Sequence, residues 1–287
     1  MGNVVSVILP TYERADAALC AMAGLERQTL DDFEIVMVDD SESDSVYDAL
    51  MFYLPEIKYI RSSPPRVGNF TVSRARNMGA ANASGDLLVF IDQDVILAPD
   101  ALERYAEAYE RHGDNVVIAG LYDWLPALDF DTDDVRTRFD EIVEDAFGAR
   151  TVAEWTFPRL PMPSEDGGML GRDLRREIFD GTDNVTDGAN ACFGGNIGYP
   201  RKLFMELGGW DENLRGYGGE DIDLSLTARA HGARFLLWDA IWGVHRWHPI
   251  DSEQNGREIQ ANIEYIDRKH GDGAGRLCCG GGGQWLT

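Results

Sequence analysis

An α/β fold with a mostly parallel central sheet is predicted by three features of the chain. Short apolar, β-branched runs alternate with helical stretches through the first half, and polar or acidic residues follow those runs. The 287 residues are also enough for one large α/β domain or two small ones.

The elements follow in order. Val4 to Leu9 (VVSVIL) is a first strand, closed by Pro10-Thr11, and Asp16 to Gln28 places Ala18, Leu19, Met22 and Leu25 on one helical face. Glu34 to Val38 is a second strand leading into Asp39-Asp40-Ser41, and Ile57 to Ile60 a short third. Ser73 to Ala83 (SRARNMGAANA) reads as a helix stopped by Ser84-Gly85, and Leu87 to Ile91 (LLVFI) is a buried strand that runs straight into Asp92. Pro99 to His112 is an amphipathic helix and Val116 to Ala119 a strand. From Asp123 to about Asp187 the chain is acidic and irregular, an insertion expected to hold a helix and a mobile loop. Order returns at Ala191 to Pro200. Helices are expected at Arg201 to Leu207, ended by Gly208-Gly209, and at roughly Glu220 to His231, with a late strand at Phe235 to Trp238. After about Gly271 the tail is Gly-rich and expected to be flexible.

Bulk properties remove some function classes. Fifty acidic against 26 basic residues give a formal net charge of −24, which repels polyanions and disfavours nucleic acid as a partner. No apolar run approaches the roughly 20 residues of a membrane span, and the start lacks a basic segment before a long apolar one. The chain is therefore expected to be cytoplasmic, with peripheral membrane attachment left open. Cys20, Cys192 and the adjacent Cys278-Cys279 show no zinc-ligand spacing and fit a reducing compartment.

The chemistry is expected at the strand ends, because ligands of open α/β sheets sit outside the carboxyl ends of the strands. Those ends carry Thr11-Tyr12, Asp39-Asp40 and Asp92-Gln93-Asp94. Tyr12 offers a flat face to a base. The first strand lacks a G-x-G-x-x-G, which argues against a dinucleotide cofactor. Two carboxylates at the end of so apolar a strand are costly unless a cation sits there, and a hard divalent ion bridging carboxylate and diphosphate is the natural occupant. A second constellation is GGWDENLRGYGGEDIDL, Gly208 to Leu224. Trp210 and Tyr217 are apolar plates of the kind that stack on sugar faces, and Glu220-Asp221 open a helix where the dipole favours carboxylates. In the third, WGVHRWH, the chain places two of its five histidines close together, and His245 is preferred over His248 as a metal ligand.

In these elements the chain resembles family 2 glycosyltransferases of the GT-A fold: SVILPTYER, EIVMVDDS, RARNMGAANASGDLLVFIDQD and GGNIGYPRKLFMELGGWDENLRGYGGEDIDL. The last block is also similar to the catalytic region of galactosyl- and N-acetylgalactosaminyltransferases. The resemblance covers about Val4 to His248. It implies a single GT-A, Rossmann-like catalytic domain over 1–270, with a nucleotide-sugar-binding half at 1–100, an acceptor half at 101–270 that holds the insertion, and a separate tail at 271–287. It implies that Pro10, Tyr12 and Asp40 contact the nucleotide base, Arg74 the diphosphate, and Asp92 the ribose or sugar. Asp94 and His245 would hold Mn2+ or Mg2+. Gly194-Gly195-Asn196 would line the sugar pocket, Tyr217 would be the aromatic platform, Glu220 would bind hydroxyls and Asp221 would be the base.

The expected reaction is transfer of a sugar from a nucleotide diphosphate sugar, a UDP-sugar in most of the family, to a hydroxyl of a glycan, lipid-linked, protein or small-molecule acceptor. Inversion is expected, with retention as the alternative, since some relatives sharing the Gly-aromatic-Gly-Gly-Glu-Asp block retain configuration. The rivals are a sugar-nucleotide nucleotidyltransferase, disfavoured because PTYER lacks a glycine-rich loop, and a non-catalytic carbohydrate-binding protein.

Overall fold

A computed structural model describes residues 4–62, 72–125, 129–147, 173, 175, 184–186, 192–248 and 252–275. Most of the acidic insertion and most of the Gly-rich tail lie outside the described residues, as does the Cys278-Cys279 pair.

The first half follows the expected alternation: β1 (Val5–Thr11), α1 (Ala15–Glu26), β2 (Phe33–Asp39), a short α2 (Ser45–Ala49), β3 (Lys58–Arg61), α3 (Val72–Asn82), β4 (Leu87–Ile91), β5 (Val95–Leu97) and α4 (Ala101–His112). The strands β1 and β4 are buried along their whole length. Ile8, Leu88 and Phe90 face one apolar cluster, and Val7, Leu9, Leu87, Val89 and Ile91 face the other. Burial on both faces is why these strands read as unbroken apolar runs.

The second half departs from the expected plan. It runs β6 (Val116–Leu125), α5 (Thr132–Phe147), β7 (Asn184–Thr186), β8 (Asn196–Pro200), α6 (Arg201–Leu207), α7 (Glu220–Ala230), β9 (Arg234–Arg246) and α8 (Ser252–His270). The nine-stranded sheet has the order β3-β2-β1-β4-β8-β6-β9-β5, with β7 on β9. Four pairings are parallel (β1 with β2 and β4, β2 with β3, β6 with β9), and four are antiparallel (β4 and β6 with β8, β5 and β7 with β9). The sheet is therefore mixed, and the expectation of a mostly parallel sheet is corrected. An apolar run records burial but carries no sign of direction, so β8 and β9 could not be oriented from their composition.

The reversal positions the site. Because β8 runs against β4, its first residue Asn196 pairs with Ile91, and Gly194-Gly195 arrive beside Asp92. Because β9 runs against β5, His245 pairs with Val95, immediately after Asp94. The pairing of β1 with β4 extends only to Ile8 and Phe90, so the two strands part toward Tyr12 and Asp92. This is where the strand order reverses, the place at which open sheets leave a ligand crevice.

Candidate active site

The crevice is built around the ends of β1, β2 and β4. From β1, Thr11 leads to Tyr12, whose N–H donates to Gln93 Oε1 at 3.0 Å while Gln93 Nε2 donates back to the Tyr12 carbonyl at 3.3 Å. The next residue, Glu13, is held at φ 54. Its carboxylate accepts from the Glu42 N–H at 2.7 Å, the Ser43 N–H at 3.0 Å and the Ser43 hydroxyl at 2.6 Å. A non-glycine residue in the left-handed region needs such support. The turn delivers Arg14, whose Nη1 lies 2.6 Å from Asp94 Oδ2.

From β2, Asp39 is fully buried and accepts from the Ser41 N–H at 2.9 Å and from the Tyr59 hydroxyl. Asp40 is also buried, and its N–H donates to the Thr11 carbonyl at 3.0 Å.

From β4 come Asp92 and Asp94, which face different partners. Asp94 is 5% exposed, with Oδ1 3.3 Å from His245 Nε2 and Oδ2 3.2 Å from His248 Nε2. The two imidazoles are stacked with centroids 5.8 Å apart. His245 Nδ1 lies 3.0 Å from the Arg246 carbonyl oxygen, and a proton donated there leaves the Nε2 lone pair on the Asp94 side. Burial pushes the His245 pKa down, against the pull of Asp94, and so favours the neutral ring. Burial would raise the Asp94 carboxyl, but His245, His248 and Arg14 outweigh it and hold it well below the usual carboxylate range. One ligand atom from each of Asp94, His245 and His248 lies within 4.8 Å of the others. A carboxylate with two imidazoles fits a divalent transition ion better than Mg2+, which prefers an all-oxygen shell.

Asp92 belongs to a second cluster. Its Oδ1 is 2.7 Å from Arg76 Nη2, and Arg76 Nη1 is 3.0 Å from Glu220 Oε1. Arg76 is 2% exposed, with its guanidinium over the Trp210 ring at 4.6 Å. Burial alone would lower its pKa, but Asp92 and Glu220 reverse this and keep it charged. A Cβ on Gly194 would come within 2.8 Å of Arg76 Nη1, and one on Gly195 within 2.8 Å of Asp92 Oδ2. These two glycines let backbone close over the bridge.

Asp221, next to Glu220 at the start of α7, is half-buried. It accepts from the Gly194 N–H at 3.2 Å and the Ile222 N–H at 2.8 Å. Burial and then the Glu220 charge raise its carboxyl to about 7, against the opposing effect of those N–H groups. A carboxylate that titrates near neutrality at a crevice edge has the properties of a general base.

The profile described as glycosyl transferase family 2 matches residues 6–208. The chain belongs to glycosyl transferase family 2. A second profile, described as the N-terminal domain of galactosyltransferase, matches residues 183–246, the stretch that carries Tyr217, Glu220, Asp221 and His245. The family 2 domain is similar to validoxylamine A glucosyltransferase of Streptomyces hygroscopicus subsp. jinggangensis, 28% identical over 93% of this chain and 61% of the relative. It is 25% identical to the chondroitin synthase of Pasteurella multocida, over 92% of this chain and 28% of that protein. The chain thus spans about three-fifths or less of the length of these relatives. Among solved structures, S. aureus TarS in complex with UDP shares the fold at a TM-score of 0.58 and 17% identity, over 93% of this chain and 71% of that one.

Several anticipated residues of the family 2 domain converge. Tyr12, Asp92, Asp94, Gly195, Glu220, Asp221 and His245 surround the crevice, and His248 joins His245 on Asp94. Tyr217 is 52% exposed on a loop between Gly216 and Gly218. Pro10 is buried in β1, and Arg74 is half-buried in the first turn of α3. Two expectations are corrected. Trp210 is 1% exposed and packs edge-on to Phe90 at 5.3 Å, so its ring faces protein on one side and Arg76 on the other and has no face for a sugar. Asn196 is fully buried; it accepts from the Tyr105 hydroxyl at 2.8 Å and donates to the Leu121 carbonyl at 2.8 Å, which binds β8 to its neighbours. Sequence reasoning missed Arg14 and Arg76. The signal for Arg76 was the small, apolar company it keeps in ARNMGAA, where an arginine on a helix packed against the sheet must be paired.

Proposed function

We propose that this domain transfers a sugar from a UDP-sugar to an acceptor hydroxyl, with inversion at the anomeric carbon. The observation that carries this reading is the meeting of two clusters at one sheet crevice: Asp94 with His245 and His248, and Asp92 bridged through Arg76 to Glu220. Asp221 takes the proton from the acceptor hydroxyl as its oxygen attacks the anomeric carbon. The bond from that carbon to the diphosphate breaks, and the nucleoside diphosphate leaves with the electron pair. Asp94, His245 and His248 would hold a divalent cation, which we assign as Mn2+ from the mixed donor set and which would supply positive charge toward a diphosphate.

The remaining residues bind and orient. Tyr12 and the buried Asp40 are suited to the base, Asp92 to ribose or sugar hydroxyls, Arg74 to phosphate, and Gly194-Gly195 to close backbone approach. Pro10 takes part through the end of β1, two residues before Tyr12. Tyr217 is the exposed aromatic on which a sugar face stacks, and Glu220 accepts from a sugar hydroxyl. The choice of uridine is supported by the UDP complex of a protein with the same fold.

The test is a donor panel. With Mn2+ present, one of UDP-glucose, UDP-galactose, UDP-N-acetylglucosamine and UDP-N-acetylgalactosamine is expected to be hydrolysed to UDP without acceptor, and NMR of the sugar released at early times should show the inverted anomer. Tight UDP binding with no turnover of any donor would instead favour a carbohydrate-binding role.

A further inference from the structure

The helix α8 follows the candidate ligand His248 and lies C-terminal to both matched segments, which end at residues 208 and 246. It grips the catalytic segment at two places. Near its middle, Asn262 is 5% exposed and donates through Nδ2 to the carbonyls of Gly218 at 2.8 Å, Arg215 at 3.1 Å and Tyr217 at 3.4 Å. One turn earlier, Glu258 accepts the Tyr217 N–H at 2.8 Å. The loop is pressed so closely onto the helix that a Cβ on Gly216 would strike the Glu258 carboxylate, and one on Gly218 would sit 3.1 Å from Ile259. Both glycines hold positive φ, 73° and 84°.

The second grip is at the C-terminal end. Lys269 Nζ bridges Asp211 and Asp223, each at 2.8 Å. His270 Nε2 meets the other Asp223 oxygen at 2.8 Å, and the Tyr265 hydroxyl donates to Asp211 at 2.9 Å. Cations at a helix C-terminus are favoured there by the dipole. The two grips hold residues 211, 215–218 and 223, and Glu220-Asp221 lie between them.

We infer that α8 is a splint for the transfer step: it fixes the Tyr217 loop and, through that loop, the position of Glu220 and Asp221. Asn262 and Glu258 are positioning residues. Neither reaches the nucleotide rim formed by β1, β2 and β4, so loss of either displaces the transfer machinery and leaves donor binding in place. The inference rests on the proposed roles of Tyr217 and Asp221.

The experiment uses whichever UDP-sugar of the four the wild-type chain turns over fastest. Asn262→Asp keeps the shape but replaces the donor by a carboxylate facing three carbonyls. It is expected to lower kcat by about 10- to 100-fold, the scale of an ångström-sized misplacement. Donor KM and UDP affinity should stay within about threefold, and hydrogen–deuterium exchange at residues 215–219 should speed up. Glu258→Ala should behave the same way more mildly, and Glu258→Gln, which keeps an acceptor oxygen, should recover most of the loss. Because Glu258 lies on a half-exposed helix face, its variants test the idea even if Asn262→Asp fails to fold. Unchanged kcat in Asn262→Asp and Glu258→Ala overturns the splint, as does a kcat loss without faster exchange at 215–219. Tyr217→Ala separates the two levels. If it lowers turnover while the α8 variants do not, the splint alone is wrong. If it too is silent, the role given to Tyr217 is wrong and the splint falls with it.

Discussion

Asp221→Asn is expected to reduce sugar transfer by about 10²- to 10⁴-fold, the usual contribution of a positioned base, with UDP affinity within about threefold of wild type. The substitution keeps the shape of the side chain and an oxygen for one of the Gly194 and Ile222 N–H groups, which Asp221 accepts on separate oxygens, and it removes the proton-accepting carboxylate. The same group sets an expected pH dependence. Its carboxyl is raised to about 7 by burial and by the neighbouring Glu220 charge. A base works ionised, so kcat/KM of the wild-type chain should fall as pH drops through about 7, and this limb should be missing from the residual rate of the variant. Stability has the opposite sign. A carboxyl with a raised folded-state pKa favours the fold while protonated and loses that contribution as pH rises through its folded value. The melting difference between wild type and the variant should therefore shift in the variant's favour as pH rises through about 7. Initial rates from pH 5.5 to 8.5, with melting curves at the same points, check all three expectations; full turnover in Asp221→Asn would remove Asp221 from the chemistry.

The second large effect is expected at Arg76. Its guanidinium is buried between Asp92 and Glu220 and covers Trp210, so Arg76→Ala leaves two carboxylates facing each other without a cation and opens space above an indole. Removing one partner of a buried ion pair destabilises by about 3–5 kcal/mol, and urea denaturation should show a loss of that order. Arg76→Lys is not a conservative change here, because an ammonium cannot span two carboxylates with separate nitrogens while lying flat on a ring. It should fold and yet be impaired in transfer, because Glu220 and its neighbour Asp221 lose their tie to Asp92. Wild-type stability in Arg76→Ala would mean that the bridge contributes nothing to the fold.

Much of the donor half could be read from sequence, for a physical reason. A strand buried on both faces must be apolar throughout, so a carboxylate directly after it marks both the strand end and the crevice. This applies to Leu87–Ile91 before Asp92, and in β2 to the buried run Val36–Val38 before Asp39-Asp40. The start of α7 was legible because Gly216, Gly218 and Gly219, all at positive φ, precede two adjacent carboxylates. Direction was not legible. The pairings that bring Gly195 to Asp92 and His245 to Asp94 are antiparallel, and nothing in the composition of β8 or β9 distinguishes the two senses. The same limit hid the extent of β9, which was expected to end at Trp238 and runs to Arg246, with Trp124 opposite His245.

Single residue types misled where they serve two environments. Trp210 and Tyr217 looked alike as candidate platforms, but one is 1% and the other 52% exposed. Arg74 and Arg76 stand two positions apart on α3, and side chains at that spacing point to nearly opposite sides of a helix, so Arg76 alone of the pair is fully buried at the bridge. The helix α8 has a readable trace in the sequence: Ile259, Ile263 and Ile266 recur at helical spacing.

Titration calorimetry of UDP tests the central claim most directly, that Asp94, His245 and His248 hold a divalent cation beside a nucleotide diphosphate site. With Mn2+ present, UDP should bind the wild-type chain. Binding should weaken at least tenfold, about 1.4 kcal/mol, in excess EDTA and equally in His245→Ala at sub-saturating Mn2+. UDP binding of equal affinity in EDTA and in Mn2+, unchanged by His245→Ala, would contradict the assignment of this cluster.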